Sequence, residues 1–381
     1  VWLYARLTGM LAAVIVFLSA FLLFALQPLL GRQMLPFVGG AAGGWLVILA
    51  FFQVALVFGY AAAHYAKILT PRAQTIAVCG LLVLGLLNVP PQFAGDESLT
   101  GSFAVLLRLL ASAAFVALGL SLISTTVQRH VAATGKHPYA LYAASNAGSL
   151  LGLLTYPLLA EPLLTTTQQQ WVWSCGYVAL LLALSVFALR TRVTAGRGNV
   201  AWATWQQRLQ WLVLAAVPAS LSYGLTAYVS TELGSFPLYW VVPLALYLLS
   251  YIIAFGRSQL PLRLFSGIAL ATMALVFGLV LTAMAGHELP MPLFLLLFSL
   301  LFFVLATAIH ARLAAAHPAP EALSEYYMWL ALGGALGGLF NVFVVPFVFT
   351  YPIEFFFAAL LAALLLPITP RFDRLLRRLA V

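Results

Sequence analysis

Three polar side chains recur within one apolar segment, at spacings that place them on one face of a helix. Gln53, Tyr60 and His64 lie seven and four residues apart in the run 45–66. Polar groups in an apolar environment need a partner, water or a function. This stripe suits the lining of a pore, a proton relay with His64 as its titratable member, or a hydrogen-bonded contact between two helices. The sequence leaves all three interpretations open.

A second polar group lies where the first apolar segment ends. Gln27 is followed by Pro28 and, after Gly31, by Arg32. A glutamine and an arginine beside a proline-interrupted helix end would bind an anion or a carboxylate. Alternatively, Gln27 caps a carbonyl group and the Arg32 side chain extends to the aqueous interface. The carboxylate of Glu232, near another helix end, would either attract cations or remain a solvated loop charge.

Two further segments combine polar residues with closely spaced small ones. The first contributes Tyr142, Ser145, Asn146, Gly148 and Gly152. The second repeats this order and contributes Gly333, Gly334, Gly337, Gly338 and Asn341. Small residues four positions apart let helices approach closely. We therefore expect the glycines to pack helices, while the polar residues either contact a solute or cross-link helices by hydrogen bonds.

The composition indicates the class of protein that positions these residues. Of 381 residues, 64% are hydrophobic and 7% are charged, whereas a soluble domain is about half apolar and about a quarter charged. The high hydrophobicity also excludes a disordered chain. The net charge of +9 comes from basic residues scattered between apolar runs, which is typical of membrane topology and not of nucleic-acid binding. We expect an integral membrane protein in contact with the lipid bilayer.

No pattern in the chain indicates a metal, a cofactor or a catalytic group. The two cysteines, Cys79 and Cys175, lie in separate apolar runs without a C-x-x-C pair. We therefore predict neither a bound metal nor a cofactor nor catalytic residues.

Apolar runs of about 20 residues, long enough to cross a bilayer, occur twelve times. They lie at 9–30, 45–66, 74–92, 103–127, 138–160, 169–190, 209–230, 236–256, 263–285, 290–310, 324–347 and 351–370. The sequence predicts an all-α polytopic membrane protein with two six-helix halves, 1–192 and 209–381, joined by a cytoplasmic linker at 193–208. A layout of two related halves is typical of many transporters.

The basic residues fit this count of spans. With the N-terminus in the cytoplasm, 16 of the 18 Lys and Arg residues fall on the cytoplasmic side, and Arg32 and Arg108 are the exceptions. A miscounted helix would invert this bias from that point onward. We therefore expect both termini in the cytoplasm and the chain in the cell inner membrane.

Four runs carry a family resemblance: SAFLLFALQPLLGRQMLPFVGG (19–40), FFQVALVFGYAAAH (51–64), PYALYAASNAGSLLGLLTYPLLAEP (138–162) and SEYYMWLALGGALGGLFNVFVVP (324–346). They are similar to the membrane portion of bacterial spermidine-synthase-like proteins, in which a transporter-like bundle is fused to an aminopropyltransferase domain. The resemblance covers nearly the whole chain and implies a bundle like that of the major facilitator superfamily (MFS). It adds Glu161 and Glu325 to the polar positions of interest.

Three functions are compatible with these features. The first is a transporter that moves a small or amphiphilic solute by alternating access, and the second is a non-catalytic membrane subunit or scaffold of a larger membrane complex. The third is the membrane half of a split spermidine-synthase-like enzyme with a separate soluble domain. The chain has no Rossmann-like glycine-rich turn after a strand, so we do not expect aminopropyl transfer by this chain alone.

Overall fold

The computed structural model describes residues 2–38, 42–93, 101–134, 139–190, 203–233, 237–256, 261–286, 290–319, 322–348 and 354–366. In these ranges the chain forms helices and no strand, and twelve of the helices have eleven residues or more. They are α1 Trp2–Val38, α2 Ala42–Tyr65, α3 Pro71–Gly85, α4 Gly101–Ala132, α5 Tyr139–Thr155, α6 Thr166–Arg190, α7 Trp205–Leu233, α8 Pro237–Gly256, α9 Leu262–Met284, α10 Met291–Ala315, α11 Leu323–Phe343 and α12 Glu354–Leu364.

The described helices have the length and composition of membrane spans. Eight of them, in α1, α2, α3, α4, α6, α7, α9 and α10, contain a stretch long and apolar enough to cross a membrane. Shorter apolar stretches occur at Val241–Gly256 in α8 and at Glu354–Leu364 in α12. The prediction of an all-α, multi-pass membrane protein is confirmed.

Local sequence signals explain several helix starts. Thr204 and Gln207 cap α7 reciprocally: Oγ1 of Thr204 accepts a hydrogen bond from the Gln207 N–H at 3.3 Å, and Oε1 of Gln207 accepts one from the Thr204 N–H at 2.9 Å. Thr165 and Gln168 form the same pair before α6. Because of this capping box, α7 begins at Trp205, inside the stretch 193–208 that the sequence predicts as a linker.

The fifth helix departs from the regular α-helix that the sequence predicts over 138–160. The α-helical geometry ends at Thr155 and continues as a π-helical turn, Tyr156–Ala160, and a short helix, Glu161–Leu163. Pro157 lies in the π-helical turn and has no N–H to donate, so the regular hydrogen-bond ladder is interrupted there.

The chain forms two compact units. The first comprises Val1–Arg208 and Pro318–Ala335. In it, α1 packs against α4, α5 and α6, and α4 packs against α2 and α3. Two buried aromatic residues join these helices through their polar atoms. Trp173 Nε1 donates to the Leu22 carbonyl oxygen at 2.8 Å, and Tyr177 OH donates to that of Leu82 at 2.9 Å.

The second unit comprises Leu209–His317 and Leu336–Val381. In it, α10 packs against α8, α9 and α12. Trp211 at the start of α7 is buried, and its Nε1 donates to the Ala316 carbonyl oxygen at 3.0 Å. The buried side chains of the second unit include Phe298, Phe302, Leu305 and Phe355.

Candidate functional site

The first turn of α11 gathers polar side chains from other helices of the first unit. Oγ of Ser324 lies 3.3 Å from Nδ1 of His64, the penultimate residue of α2. The next residue, Glu325, forms an ion pair with Arg208 in the first turn of α7, with Oε1 2.7 Å from Nε. The start of α11 is therefore bonded to both α2 and α7.

An aromatic contact extends this group to α5. The ring of Tyr327 stacks on that of Tyr142, with centroids 4.6 Å apart and planes 15° from parallel. Both tyrosines are buried. We name the group the α11 cluster, and its members are His64, Tyr142, Arg208, Ser324, Glu325 and Tyr327.

The charge in the α11 cluster is held inside the protein. Glu325 is 1% exposed, and the side chain of Arg208 is 26% exposed. The second carboxylate oxygen of Glu325 accepts a hydrogen bond from the backbone N–H of Ala203 at 3.3 Å. A buried carboxylate is tolerated only when it is paired and hydrogen-bonded, and both conditions hold at Glu325.

A second arginine positions the end of α2 that carries His64. The guanidinium of Arg129 in α4 donates to the carbonyl oxygens of Ala66 at 3.4 Å and Leu69 at 2.9 Å, and to the side chain of Gln74. Gln74 in turn donates to the Ala63 carbonyl oxygen at 3.0 Å. The turn between α2 and α3 is thereby fixed directly beside the cluster.

The glycines of α5 lie where α5 meets α1. A β-carbon at Gly148 would come well under 3.0 Å from the carbonyl oxygen of Phe17, and one at Gly152 would come equally close to that of Phe21. Because the neighbouring atoms belong to the backbone, they cannot rotate away. The two helices approach more closely than any larger residue would allow.

In the second unit, α11 meets α7 in the same manner. A β-carbon at Gly337 would come well under 3.0 Å from the carbonyl oxygen of Ala216. One turn later, Nδ2 of Asn341 donates to Oγ of Ser220 at 2.7 Å and to the Gly337 carbonyl oxygen at 2.8 Å. The α1–α5 contact of the first unit and the α7–α11 contact of the second unit are therefore both made through a glycine that lies against the backbone of the neighbouring helix.

The structure pairs Arg32 with an acidic residue of its own chain. Nη1 of Arg32 lies 2.8 Å from Oε2 of Glu161, and these side chains are 34% and 45% exposed. Gln27 is buried in α1. One interpretation of the sequence placed Gln27 and Arg32 together in an anion site. In the structure, Arg32 forms an ion pair with Glu161.

Because this ion pair is partly exposed, its loss should change stability little. We expect Arg32→Gln to lower the free energy of unfolding by less than about 1 kcal/mol, since water solvates both charges when they are apart. Thermal unfolding of the purified variant in detergent measures this, and Glu161→Gln is the matched control from the other side of the pair. A loss of several kcal/mol would contradict this account of the pair.

The remaining predicted site residues lie in different surroundings. Gln53 and Tyr60 are half-buried in α2, and Ser145 is buried in α5. The Asn146 side chain donates to the Tyr142 carbonyl oxygen of its own helix at 2.8 Å. The side chain of Glu232 lies outside the described residues. The other glycines of α11 are buried or half-buried, and these are Gly333, Gly334 and Gly338.

No protein-family model matches the chain, and no curated protein matches its sequence. Its fold does match solved structures. A bacterial homologue of the iron transporter ferroportin, in an outward-facing state, aligns over 94% of this chain and 96% of its own length, with 14% identity and a TM-score of 0.59. The human organic anion transporter MFSD10 (TETRAN) aligns over 94% of this chain and 99% of its own length, with 17% identity and a TM-score of 0.55.

A POT family transporter in complex with 5-aminolevulinic acid aligns over 94% of this chain and 94% of its own length, with 12% identity and a TM-score of 0.54. The chain has the fold of these transporters. The predicted MFS-like bundle is thereby confirmed, and the protein is transporter-like in architecture.

Three members of the α11 cluster were not singled out by the sequence, and these are Arg208, Ser324 and Tyr327, whereas the family resemblance pointed to Glu325. Their partners are distant in sequence, since 117 residues separate Arg208 from Glu325 and 260 separate His64 from Ser324. One local signal was present. A carboxylate in the third position of an apolar helix, as at Glu325, needs a partner if that helix end is buried.

Proposed function

We propose that the chain moves a small or amphiphilic solute across the cell inner membrane by alternating access of two six-helix halves, 1–192 and 209–381, with both termini in the cytoplasm. The observation that carries this proposal is the twelve-helix fold, which transporters share over 94% of the chain. Bundles of this design transport by moving one half against the other around a site near the middle of the membrane.

The polar residues away from the α11 cluster supply the proposed solute path. Gln53 and Tyr60 are half-buried in the apolar helix α2, so part of each residue remains accessible to a passing solute. The proposed lining comprises Gln27, Gln53, Tyr60, Ser145, Asn146, Glu232 and Asn341.

The α11 cluster supplies the proposed closure of the cytoplasmic end. It ties the start of α11 to α2, α5 and α7 by an ion pair, a hydrogen-bond contact and a ring stack. In the charge-based topology, these helix ends all face the cytoplasm. For a solute to leave on that side, we expect the contacts of Ser324 and Glu325 to break.

Uptake by the purified chain in liposomes tests the proposal. Vesicles are incubated with a mixed metabolite extract, and their contents are measured by mass spectrometry after washing. We expect at least one solute to accumulate above the level in protein-free vesicles, and Gln53→Ala and Asn146→Ala to lower its uptake by about tenfold. The matched control is Thr272→Ala, which removes an exposed hydroxyl that bonds its own helix α9 at 2.8 Å. Equal uptake by all variants would contradict the proposed path.

The second candidate function is a non-catalytic subunit of a larger membrane complex. It is favoured by the placement of carboxylates, because every acidic side chain that the structure describes, at Glu161, Glu325 and Glu354, lies at a helix end. Ion-coupled transporters commonly bury a carboxylate at mid-depth. Native mass spectrometry after gentle extraction distinguishes a subunit from a transporter that acts alone, because a subunit would be detected in a stoichiometric complex with another protein.

The family resemblance suggests a third candidate, the membrane half of a split spermidine-synthase-like enzyme. In that case, native mass spectrometry would find a separate soluble synthase bound to the chain. A polyamine as the transported solute is disfavoured, because a path for a polycation requires acidic residues along its length and the described acids lie at helix ends.

A further inference from the structure

A histidine in the second unit has one ring nitrogen without a partner. His310 in α10 and Ser250 in α8 are both fully buried. Nδ1 of His310 lies 2.8 Å from Oγ of Ser250, whereas Nε2 has no hydrogen-bond partner within the described part of the chain. Leaving a buried polar atom unpaired is unfavourable, because the atom has lost its hydrogen bonds to water. Such an atom calls for an explanation, and a ligand-binding role is one.

The hydrogen bonds of Ser250 determine which nitrogen carries the hydrogen. Oγ of Ser250 donates to the Tyr247 carbonyl oxygen at 2.6 Å. A hydroxyl has a single hydrogen, so toward His310 the same oxygen accepts. Nδ1 of His310 is therefore the N–H donor, and Nε2 bears the lone pair. The atom without a partner is a basic nitrogen.

Aromatic rings surround this imidazole. The ring of Tyr251 stacks on it with centroids 3.7 Å apart and planes 23° from parallel, and the ring of Tyr247 meets it edge-on at 5.2 Å. The face of an aromatic ring attracts a cation, and the attraction increases when water is excluded. Two groups would therefore stabilise a protonated imidazole at this site: the face of the Tyr251 ring and the hydroxyl oxygen of Ser250.

The charged groups on the neighbouring helices do not neutralise His310. On its own helix, Arg312 donates to the carbonyl oxygen of Leu365, just beyond the end of α12. Glu354 is the first residue of α12, so it lies about 16 Å along the helix axis from that end. On α9 the ionisable residue is Arg263, which is exposed in the first turn. Tyr247 and Tyr251 are the ionisable groups that α8 brings to the imidazole.

We propose that Nε2 of His310 is a proton-binding site of the bundle. One proton passes from hydronium to Nε2, which leaves water and an imidazolium whose Nδ1–H still donates to Ser250. Burial favours the neutral ring, so the proton enters when a conformational change admits water and leaves when the helices close. In the proposed transporter, this exchange would couple solute movement to a proton gradient. That coupling rests on the proposed function, whereas proton binding does not.

Nitrogen NMR of the full-length protein tests the site without any solute. The probe is the proton itself, and the sample is the protein with ¹⁵N-labelled histidine in lipid bilayers. The nitrogen chemical shifts distinguish the two neutral tautomers from each other and from the imidazolium. The chain has six histidines. We expect His310 to show the Nδ1–H tautomer near pH 8 and to convert reversibly to the imidazolium as the sample is acidified while the protein stays folded.

Two results would overturn the proposal: an Nε2–H tautomer at His310, or a His310 signal that stays neutral at every pH at which the protein remains folded. The signal is assigned as the one lost in His310→Gln. If that variant does not fold, each of the other histidines is replaced in a separate variant. The His310 signal is then the one that remains in all of these variants. Ser250→Ala should abolish the Nδ1–H preference, because the oxygen that accepts from Nδ1 is removed. Because no transport is measured, failure of the proposed transport function would leave this result intact.

Discussion

Replacing Gly148 by alanine should destabilise the protein by about 1–3 kcal/mol, although alanine forms helices better than glycine. In an open helix position the same change gains about 0.5–1 kcal/mol. At Gly148, however, the added methyl group would collide with the backbone oxygen of Phe17 in α1. The helices must separate, and overpacking of this kind costs about 1–3 kcal/mol. Thermal unfolding of the purified protein in detergent measures the change.

The matched control is Gly278→Ala in α9, where the added β-carbon would have no neighbour within 4 Å. We expect this variant to unfold at the wild-type temperature or above it. Gly337→Ala should behave like Gly148→Ala, because it would meet the backbone of Ala216. If Gly148→Ala proved as stable as Gly278→Ala, the close approach of α1 and α5 would be wrong.

Replacing Arg208 by methionine should destabilise the protein by about 3–5 kcal/mol. Methionine keeps an unbranched apolar stem but removes the guanidinium, so Glu325 would remain buried at 1% exposure without its counter-charge. Breaking a buried ion pair from one side leaves an uncompensated charge, which costs about 3–5 kcal/mol. The melting temperature in detergent should fall accordingly.

The double variant Arg208→Met/Glu325→Gln separates the charge effect from lost packing. Glutamine removes the unpaired charge while its side-chain oxygen still accepts from the Ala203 N–H, so we expect at least half of the lost stability to return. Arg32→Met serves as the control for an exposed pair, with a loss below about 1 kcal/mol. A double variant no more stable than Arg208→Met would show that the unpaired charge of Glu325 is not the cause of the loss.

The parts of the fold that depend on local sequence are predictable. Apolar runs of membrane-spanning length fix the number of helices, because a bilayer requires about 20 apolar residues per span. Thr70 followed by Pro71 starts α3, with Oγ1 of Thr70 accepting from the Ala73 N–H at 3.2 Å. The Thr204–Gln207 capping box was equally visible in the sequence, but its polar residues were assigned to the linker.

The contacts of the candidate site are less predictable, because they join residues far apart in the chain. Periodicity places His64 on one face of α2, yet it gives no information about which helix that face meets. Arg32 illustrates the same limit, since its partner Glu161 follows a π-helical turn whose geometry the sequence pattern did not reveal. Charge pairing across 117 residues, as between Arg208 and Glu325, requires the three-dimensional arrangement.

Accessibility of α2 from the two sides of the membrane tests alternating access most directly. A single cysteine is introduced by Gln53→Cys after Cys79→Ala and Cys175→Ala, and a membrane-impermeant thiol reagent is applied to right-side-out and inverted vesicles. Ile68→Cys, at a position that is 92% exposed, and Thr165→Cys, at an exposed position, are the controls and should react from the cytoplasmic and the outer side, respectively. Alternating access predicts that Gln53→Cys reacts from both sides. Reaction from one side alone, or from neither, would contradict a solute path through α2.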